Sequence, residues 1–204
     1  GSQGRLVAFL SGNIKSAVSV FMLLKRGAPV IPLYLDTKET PTDRVEKLYE
    51  DLKKYHPRLK LRKMNLNKFK NAISQELPEY MRKIISKRTA MKIADKVAEK
   101  LGAHGIILED DLEDLKSQTM EITNLLEEKT DKPVFYPLSG FTRGKIRDIG
   151  NEITDIDERD EDLSFQGEFP QQPEKLNLEK VREQEKKVTQ EDILEFTMGS
   201  LETH

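Results

Sequence analysis

The hexapeptide Ser11-Gly12-Asn13-Ile14-Lys15-Ser16 places two hydroxyls, a glycine, a carboxamide and an ammonium between an apolar run and the start of a helix. Unpaired N–H groups at a helix N-terminus carry positive partial charge, and hydroxyls and a lysine beside them add donors and a full charge. The chemistry this composition suits is the binding of phosphate or another oxyanion. Its spacing is neither that of the Walker loop nor that of the dinucleotide fingerprint. The same six residues also suit an ordinary polar turn from strand to helix.

A second concentration lies at Glu109-Asp110-Asp111-Leu112-Glu113-Asp114, five carboxylates in six positions. Desolvated, they would repel a triphosphate by on the order of several kcal/mol, and far less where water and salt screen them. Consecutive carboxylates rarely converge on one ion, so no metal site is expected here. His56, His104 and His204 stand apart from any partner pattern and read as surface residues. A third group, Arg82, Lys83, Lys87 and Arg88, continues through Lys92, Lys96 and Lys100 along one helical stretch. Such a face either follows an RNA backbone or is simply solvated, and with 6% aromatic residues and no tryptophan there is little to stack on bases.

The elements that must position these groups alternate regularly. Arg5 to Leu10 is apolar without alternation, as in a strand covered on both faces, and Ala17 to Arg26 reads as a buried helix stopped by Gly27. A second strand spans Val30 to Leu35. Thr40-Pro41-Thr42-Asp43 then supplies the cap, proline and acid of a helix start, with the helix running to about Tyr55. Further strands are predicted at Leu59 to Met64, Gly105 to Leu108 and Pro133 to Leu138. Helices are predicted at Asn67 to Leu77, Glu79 to Leu101, Leu112 to Glu128 and Arg143 to Ile153. The longest would be a basic helix with one buried stripe, Ala90, Ala94, Val97 and Leu101. This order predicts a three-layer α/β/α sandwich around a five-stranded parallel sheet.

Composition bounds the rest. Hydrophobic residues make up 36% and charged residues 34%, no apolar run is long enough for a bilayer, and cysteine is absent, which excludes disulfides and any thiolate chemistry by this chain. Nothing resembles a signal peptide, so a cytoplasmic protein is expected. Residues 1–150 carry 28 Lys and Arg against 20 Asp and Glu, whereas residues 151–204 carry 6 against 16. The expected division is therefore a nucleotide-binding body over 5–154 and an acidic extended C-terminal arm with short helices over 155–204. Leu176 to Val188 and Gln190 to Phe196 are its helical stretches, and Phe165, Phe169, Leu176 and Leu178 are its docking residues. A basic body suggests a polyanionic partner.

The stretch LVAFLSGNIKSAVSVFMLLKRGAPVIPLYL resembles the opening of the PP-loop domain of tRNA 4-thiouridine synthetases, with its strand, S-G-G-x-D-S loop, buried helix and second strand. ISKRTAMKIADKVAEKLGAHGII resembles that family's basic helix and next strand, Ser117-Gln118-Thr119 its S-Q-T, Pro137-Leu138 its P-L, and FPQQPEKLNLEKVREQEKK its closing segment. The resemblance implies an adenine nucleotide α-hydrolase-like fold and ATP or AMP as ligand. It also implies magnesium beside the phosphates and tRNA as partner, through adenylation of a uridine carbonyl oxygen that a persulfide then displaces. It assigns the nucleotide or anion site to Ser11, Gly12, Asn13, Lys15 and Ser16, with Leu35, Gln118 and Arg143, and RNA contact to Arg82, Lys83, Lys87 and Arg88.

The departures are specific. Asn13 stands at the family's second glycine and Lys15 at its aspartate, so a group expected to help hold magnesium becomes one that contacts phosphate or replaces the metal. Asparagine tolerates left-handed backbone, which would preserve the turn. The acidic run falls where the family has G-E-S-x-G-Q, Thr142-Arg143 stands at its aspartate-lysine pair, and its catalytic cysteine region falls near Leu163 and Ser164. The leading expectation is a diverged PP-loop nucleotide-binding domain with degraded catalysis. The alternatives are an active adenylating enzyme served by a separate sulfur carrier or RNA-binding protein, and a non-catalytic scaffold for tRNA or protein.

Overall fold

The computed structural model describes residues 4–37, 42–117, 119–156, 177–188 and 191–204. Strand β1 (Arg5–Phe9) runs at the centre of a sheet, followed by helix α1 (Ile14–Lys25), β2 (Val30–Asp36) and α2 (Thr42–Lys53). Then come β3 (Arg62–Asn65), α3 (Asn67–Glu76), α4 (Glu79–Leu101) and β4 (Ala103–Ile107). The chain continues through α5 (Leu112–Ser117), α6 (Met120–Glu127), β5 (Val134–Phe135), α7 (Arg143–Ile153), α8 (Leu178–Val188), α9 (Glu191–Gly199) and β6 (Glu202–Thr203). The sheet order is β5-β4-β1-β2-β3-β6, with the first five strands mutually parallel and β6 antiparallel to β3.

Successive strand residues point to opposite faces, and here both faces are buried. Val7, Leu33, Met64 and Ile106 enter a core shared with α3, α4, α6, α8 and α9. Ala8, Tyr34 and Ile107 enter the other, shared with α1, α2 and α7. The unbroken apolar run of β1 therefore produces the predicted three layers and five parallel strands. The sixth strand has no expectation behind it, because Glu202–Thr203 carries no apolar pattern; backbone pairing recruits it, with His204 N–H donating to Leu61 C=O and the Tyr49 hydroxyl to His204 C=O, both at 3.0 Å.

Several boundaries shift for local reasons. Helix α1 begins at Ile14 and not Ala17, because Asn13 caps it: its Oδ1 accepts from Lys15 N–H at 3.0 Å. The predicted helix from Leu112 to Glu128 is two helices, the second capped by Thr119, whose Oγ1 accepts from Ile122 N–H at 3.3 Å. The fifth strand shortens to two residues between Pro133 and Pro137, which have no N–H for a ladder. Helix α4 is buried around most of its circumference and not along one stripe, because α3, α6 and α8 pack on it as well as the sheet.

The C-terminal segment was expected as an extended arm. Its described parts lie against the body: Val181, Val188 and Leu194 are buried in the core that holds Val7, and Leu178 packs at its margin. Phe165, Phe169 and Leu176, like Leu163 and Ser164, lie outside the described residues. Among the described residues no helix is long and apolar enough to cross a membrane.

Candidate functional site

Where β1 ends, Leu10 N–H still pairs with Leu33 C=O at 2.9 Å, and the loop then turns over the carboxyl edge of the sheet into α1. Gly12 makes the turn with φ of 87°, a conformation costly for any residue with a Cβ. The expectation that Asn13 takes up left-handed backbone is corrected: Asn13 is extended, with φ of −81° and ψ of 146°, and acts as the helix cap. The path needs no left-handed backbone at Asn13.

The loop is wound on its own hydrogen bonds. Ser11 N–H donates to Ser16 Oγ at 3.1 Å, Ser16 Oγ donates to Asn13 C=O at 2.6 Å, and Asn13 N–H reaches Ser11 Oγ at 3.4 Å. Ser16 N–H donates to Asn13 C=O at 3.1 Å. From α2, Arg44 Nε donates to Gly12 C=O at 2.6 Å and fixes the outer side of the turn. From below, Ile14 is seated on Gly150 of α7, where an added Cβ would lie 2.5 Å from Ile14 Cγ1.

Lys15 is the electrostatic anomaly. A cation in the first turn of a helix opposes the macrodipole, and α1 has no acid in that turn to offset it. The compensation comes from the β4–α5 connection 99 residues away, where Asp114 Oδ2 accepts from Lys15 Nζ at 2.6 Å and Asp111 Oδ2 stands 3.7 Å from it. Burial alone would lower the Lys15 pKa, but the hydrogen bond and charge of Asp114, with the charges of Glu109 and Asp111, raise it on balance. Burial likewise pushes Asp114 up, and its hydrogen bond to Lys15 overcomes this and lowers it.

The acidic run is thus not a row of bare charges. Asp111 Oδ1 caps α5 by accepting from Glu113 N–H at 2.8 Å and Asp114 N–H at 2.9 Å, while its buried Oδ2 has no hydrogen bond. Glu109 accepts from Ser11 Oγ at 3.2 Å through both oxygens. Asp110 receives Lys87 Nζ at 2.7 Å, and Glu113 receives Arg143 Nε at 2.8 Å. The repulsion expected of these carboxylates is relieved by partners drawn from α1, α4 and α7.

Of the residues assigned from sequence, Ser11, Gly12, Asn13, Lys15 and Ser16 come together, and Arg143 joins them indirectly through Glu113. Leu35 lies in β2, half-buried against the core on the α4 face and in register with Met64. Gln118 lies outside the described residues. On the basic helix, Arg82 caps α3, donating to Leu77 C=O at 3.1 Å and Ser74 C=O at 3.0 Å, and Lys83 is half-buried. Arg88 does not belong to a solvent face: it is 1% exposed, bonded to Glu185 at 2.9 and 3.0 Å and to the carbonyl of Leu125. That assignment is corrected, because a buried, fully engaged guanidinium offers nothing to RNA.

Sequence reasoning did not assign Glu109, Asp111, Asp114 or Arg44 to the loop. The signal for the carboxylates was present: a lysine at a helix N-terminus without a local acid demands distant ones. ATP and magnesium, implied by the resemblance, fit unequally. Serines, glycine and helix N-terminus suit an anionic ligand in kind. A divalent ion does not fit beside Lys15, whose ammonium already stands against Asp114 and Asp111.

A parallel sheet flanked by helices on both faces, with a serine–glycine loop leading from the first strand into a helix at the carboxyl edge, defines an adenine nucleotide α-hydrolase-like PP-loop domain. The chain belongs to the family described as Thiamine biosynthesis protein (ThiI), whose profile matches residues 1–190. It is 34% identical over 158 residues to a probable tRNA sulfurtransferase of Thermococcus kodakarensis, covering 75% of this chain and 42% of that protein. The corresponding protein of Thermus thermophilus is 28% identical over 211 residues, covering 99% of this chain and 52% of the relative. This chain thus spans about half the length of such relatives. Among solved structures, a 4-thiouridine synthetase–RNA complex with bound ATP matches 100% of this chain and 55% of its own, with TM-score 0.78 and 25% identity. NMN synthetase from Francisella tularensis shares the fold, with TM-score 0.56 and 15% identity over 97% of this chain and 84% of its own.

Proposed function

We infer that this chain is a diverged nucleotide-binding PP-loop domain of the tRNA 4-thiouridine synthesis class, keeping an adenine-nucleotide cleft at the carboxyl edge of β1 and β4 but no longer carrying out uridine adenylation. The observation that carries this reading is Lys15, at the position of the family's aspartate, held at 2.6 Å by Asp114 across the mouth of the loop. A persulfide carried on a cysteine of this chain is excluded by the absence of that residue. The tRNA partner is supported by the names of the relatives and by the RNA in the complex matched at TM-score 0.78.

A second reading is favoured by the ATP in that same complex, which matches this chain over its full length. In it the domain still adenylates tRNA, with Lys15 supplying the positive charge and another protein the sulfur. Equilibrium dialysis with adenosine, AMP and ATP, followed by an assay of pyrophosphate release with tRNA, separates the two. The first reading expects nucleotide binding without tRNA-dependent pyrophosphate. Release that disappears in Lys15→Ala would overturn it in favour of the second.

A further inference from the structure

Resting on the reading of this cleft as a nucleotide site, we propose that Lys15, clamped by Asp114 and Asp111, locks the anionic end of the cleft, so that it admits an adenine nucleoside or nucleoside monophosphate and rejects a metal-bound triphosphate. Several of the donors that would receive a polyphosphate are already engaged. Ser11 N–H is taken by Ser16 Oγ, Ser16 Oγ by Asn13 C=O, Lys15 N–H by Asn13 Oδ1 and the Ser11 hydroxyl by Glu109.

Charge acts in the same direction. Drawing the Lys15 ammonium onto a phosphate would remove it from Asp114 and from Asp111 Oδ2, a buried oxygen without any hydrogen bond. Both carboxylates would then face the incoming polyanion in a partly desolvated site, where like charges repel far more than in water. A nucleoside brings no charge and a monophosphate much less than a triphosphate, so each can occupy the cleft with the lock shut. Magnesium, whose usual service is to neutralise a triphosphate, finds its place beside the carboxylates held by the ammonium.

Calorimetry at low salt with adenosine, AMP, ATP and ATP with magnesium tests this on the wild-type chain and on Asp114→Asn. The variant keeps an oxygen to accept from Asp111 N–H, now at 3.0 Å, while releasing the lysine. Wild type is expected to bind AMP about tenfold or more tighter than ATP, with no effect of magnesium. Asp114→Asn is expected to gain about tenfold in ATP affinity with AMP little changed. A circular-dichroism melt reports folding of the variant, and Asp114→Ser, which also removes the carboxylate at 2.6 Å from Lys15, serves in its place if it does not fold. Wild-type preference for magnesium-ATP, or an unchanged ATP-to-AMP ratio in the folded variant, would overturn the lock and leave the nucleotide reading standing. Failure of all four ligands to bind would remove the nucleotide reading and the lock with it.

Discussion

The Arg88–Glu185 pair and the Lys15–Asp114 pair use the same chemistry in different surroundings. Arg88 and Glu185 are enclosed between α4 and α8, with Lys129 Nζ 2.9 Å from the same carboxylate oxygen and Glu128 bridging to Arg182 at 2.5 Å. Lys15 and Asp114 sit at a loop mouth with 18% and 26% of their side chains exposed. A buried pair loses its water permanently, so breaking it strands a charge, whereas a pair at a mouth can exchange its partner for water or ligand. The first fastens α8 to the body. The second sits where the loop meets the β4–α5 connection, with part of both side chains in solvent.

The largest effect should follow from breaking the buried member. Arg88→Ala leaves Glu185 without its main partner and is expected to cost about 3–5 kcal/mol in urea unfolding; a loss below about 1 kcal/mol would erase the distinction between the two pairs. Gly150→Ala sharpens the comparison from beneath the loop. A methyl 2.5 Å from Ile14 Cγ1 must push α7 off α1, with an expected loss of about 3 kcal/mol, the upper end for overpacking. A displaced Ile14 should also disturb its neighbour Lys15, visible as a change in nucleotide affinity.

Asp51 provides an intermediate case, buried itself but served by the more exposed Lys54 at 2.5 Å and Lys47 at 2.9 Å. Burial pushes its carboxyl up, yet hydrogen bonds from Lys54, Thr154 and Lys47 outweigh this and hold it at about 2 against an ordinary 3.8. A depressed carboxyl contributes stability that is complete above its unfolded pKa and is lost as pH falls through the folded one. About 2 kcal/mol should therefore disappear between roughly pH 4 and pH 2, and Asp51→Asn should flatten that part of the pH–stability curve.

Lys15→Met should cost about 1–2 kcal/mol in unfolding, because Asp114 keeps some water while the buried Asp111 Oδ2 loses its charge partner. Lys15 is raised above its ordinary 10.5, so its contribution is present below that value and fades above it. Asp114 is lowered below 3.8, so its contribution is present above that value and fades below it. The difference between Lys15→Met and wild type should accordingly stay constant between those limits. Smallest of all, Arg143→Ala removes a pair whose members are half exposed and should shift stability by less than about 0.5 kcal/mol.

Much of the fold was legible because apolar patterning is local. Arg5 to Leu10 declared a strand buried on both faces, Gly27 marked a helix end at φ of 75°, and the alternation of elements implied the parallel sheet. The family likeness was equally legible, carried by short blocks in fixed order. The helix break at Thr119 and the pairing of β6 were not, since one depends on a single cap and the other on a backbone ladder without an apolar signature.

The sequence by itself determined the strand–loop–helix, the absence of cysteine and the presence of a lysine beside the loop. Only the tertiary structure decided what that lysine meets. Charge in a sequence has a sign but no partner: that Lys15 meets Asp114 while Arg88 is sealed against Glu185 depends on segments 99 and 97 residues away being brought within 3 Å by the sheet. Distance and burial set the strength of an ionic contact, and both are properties of the folded chain.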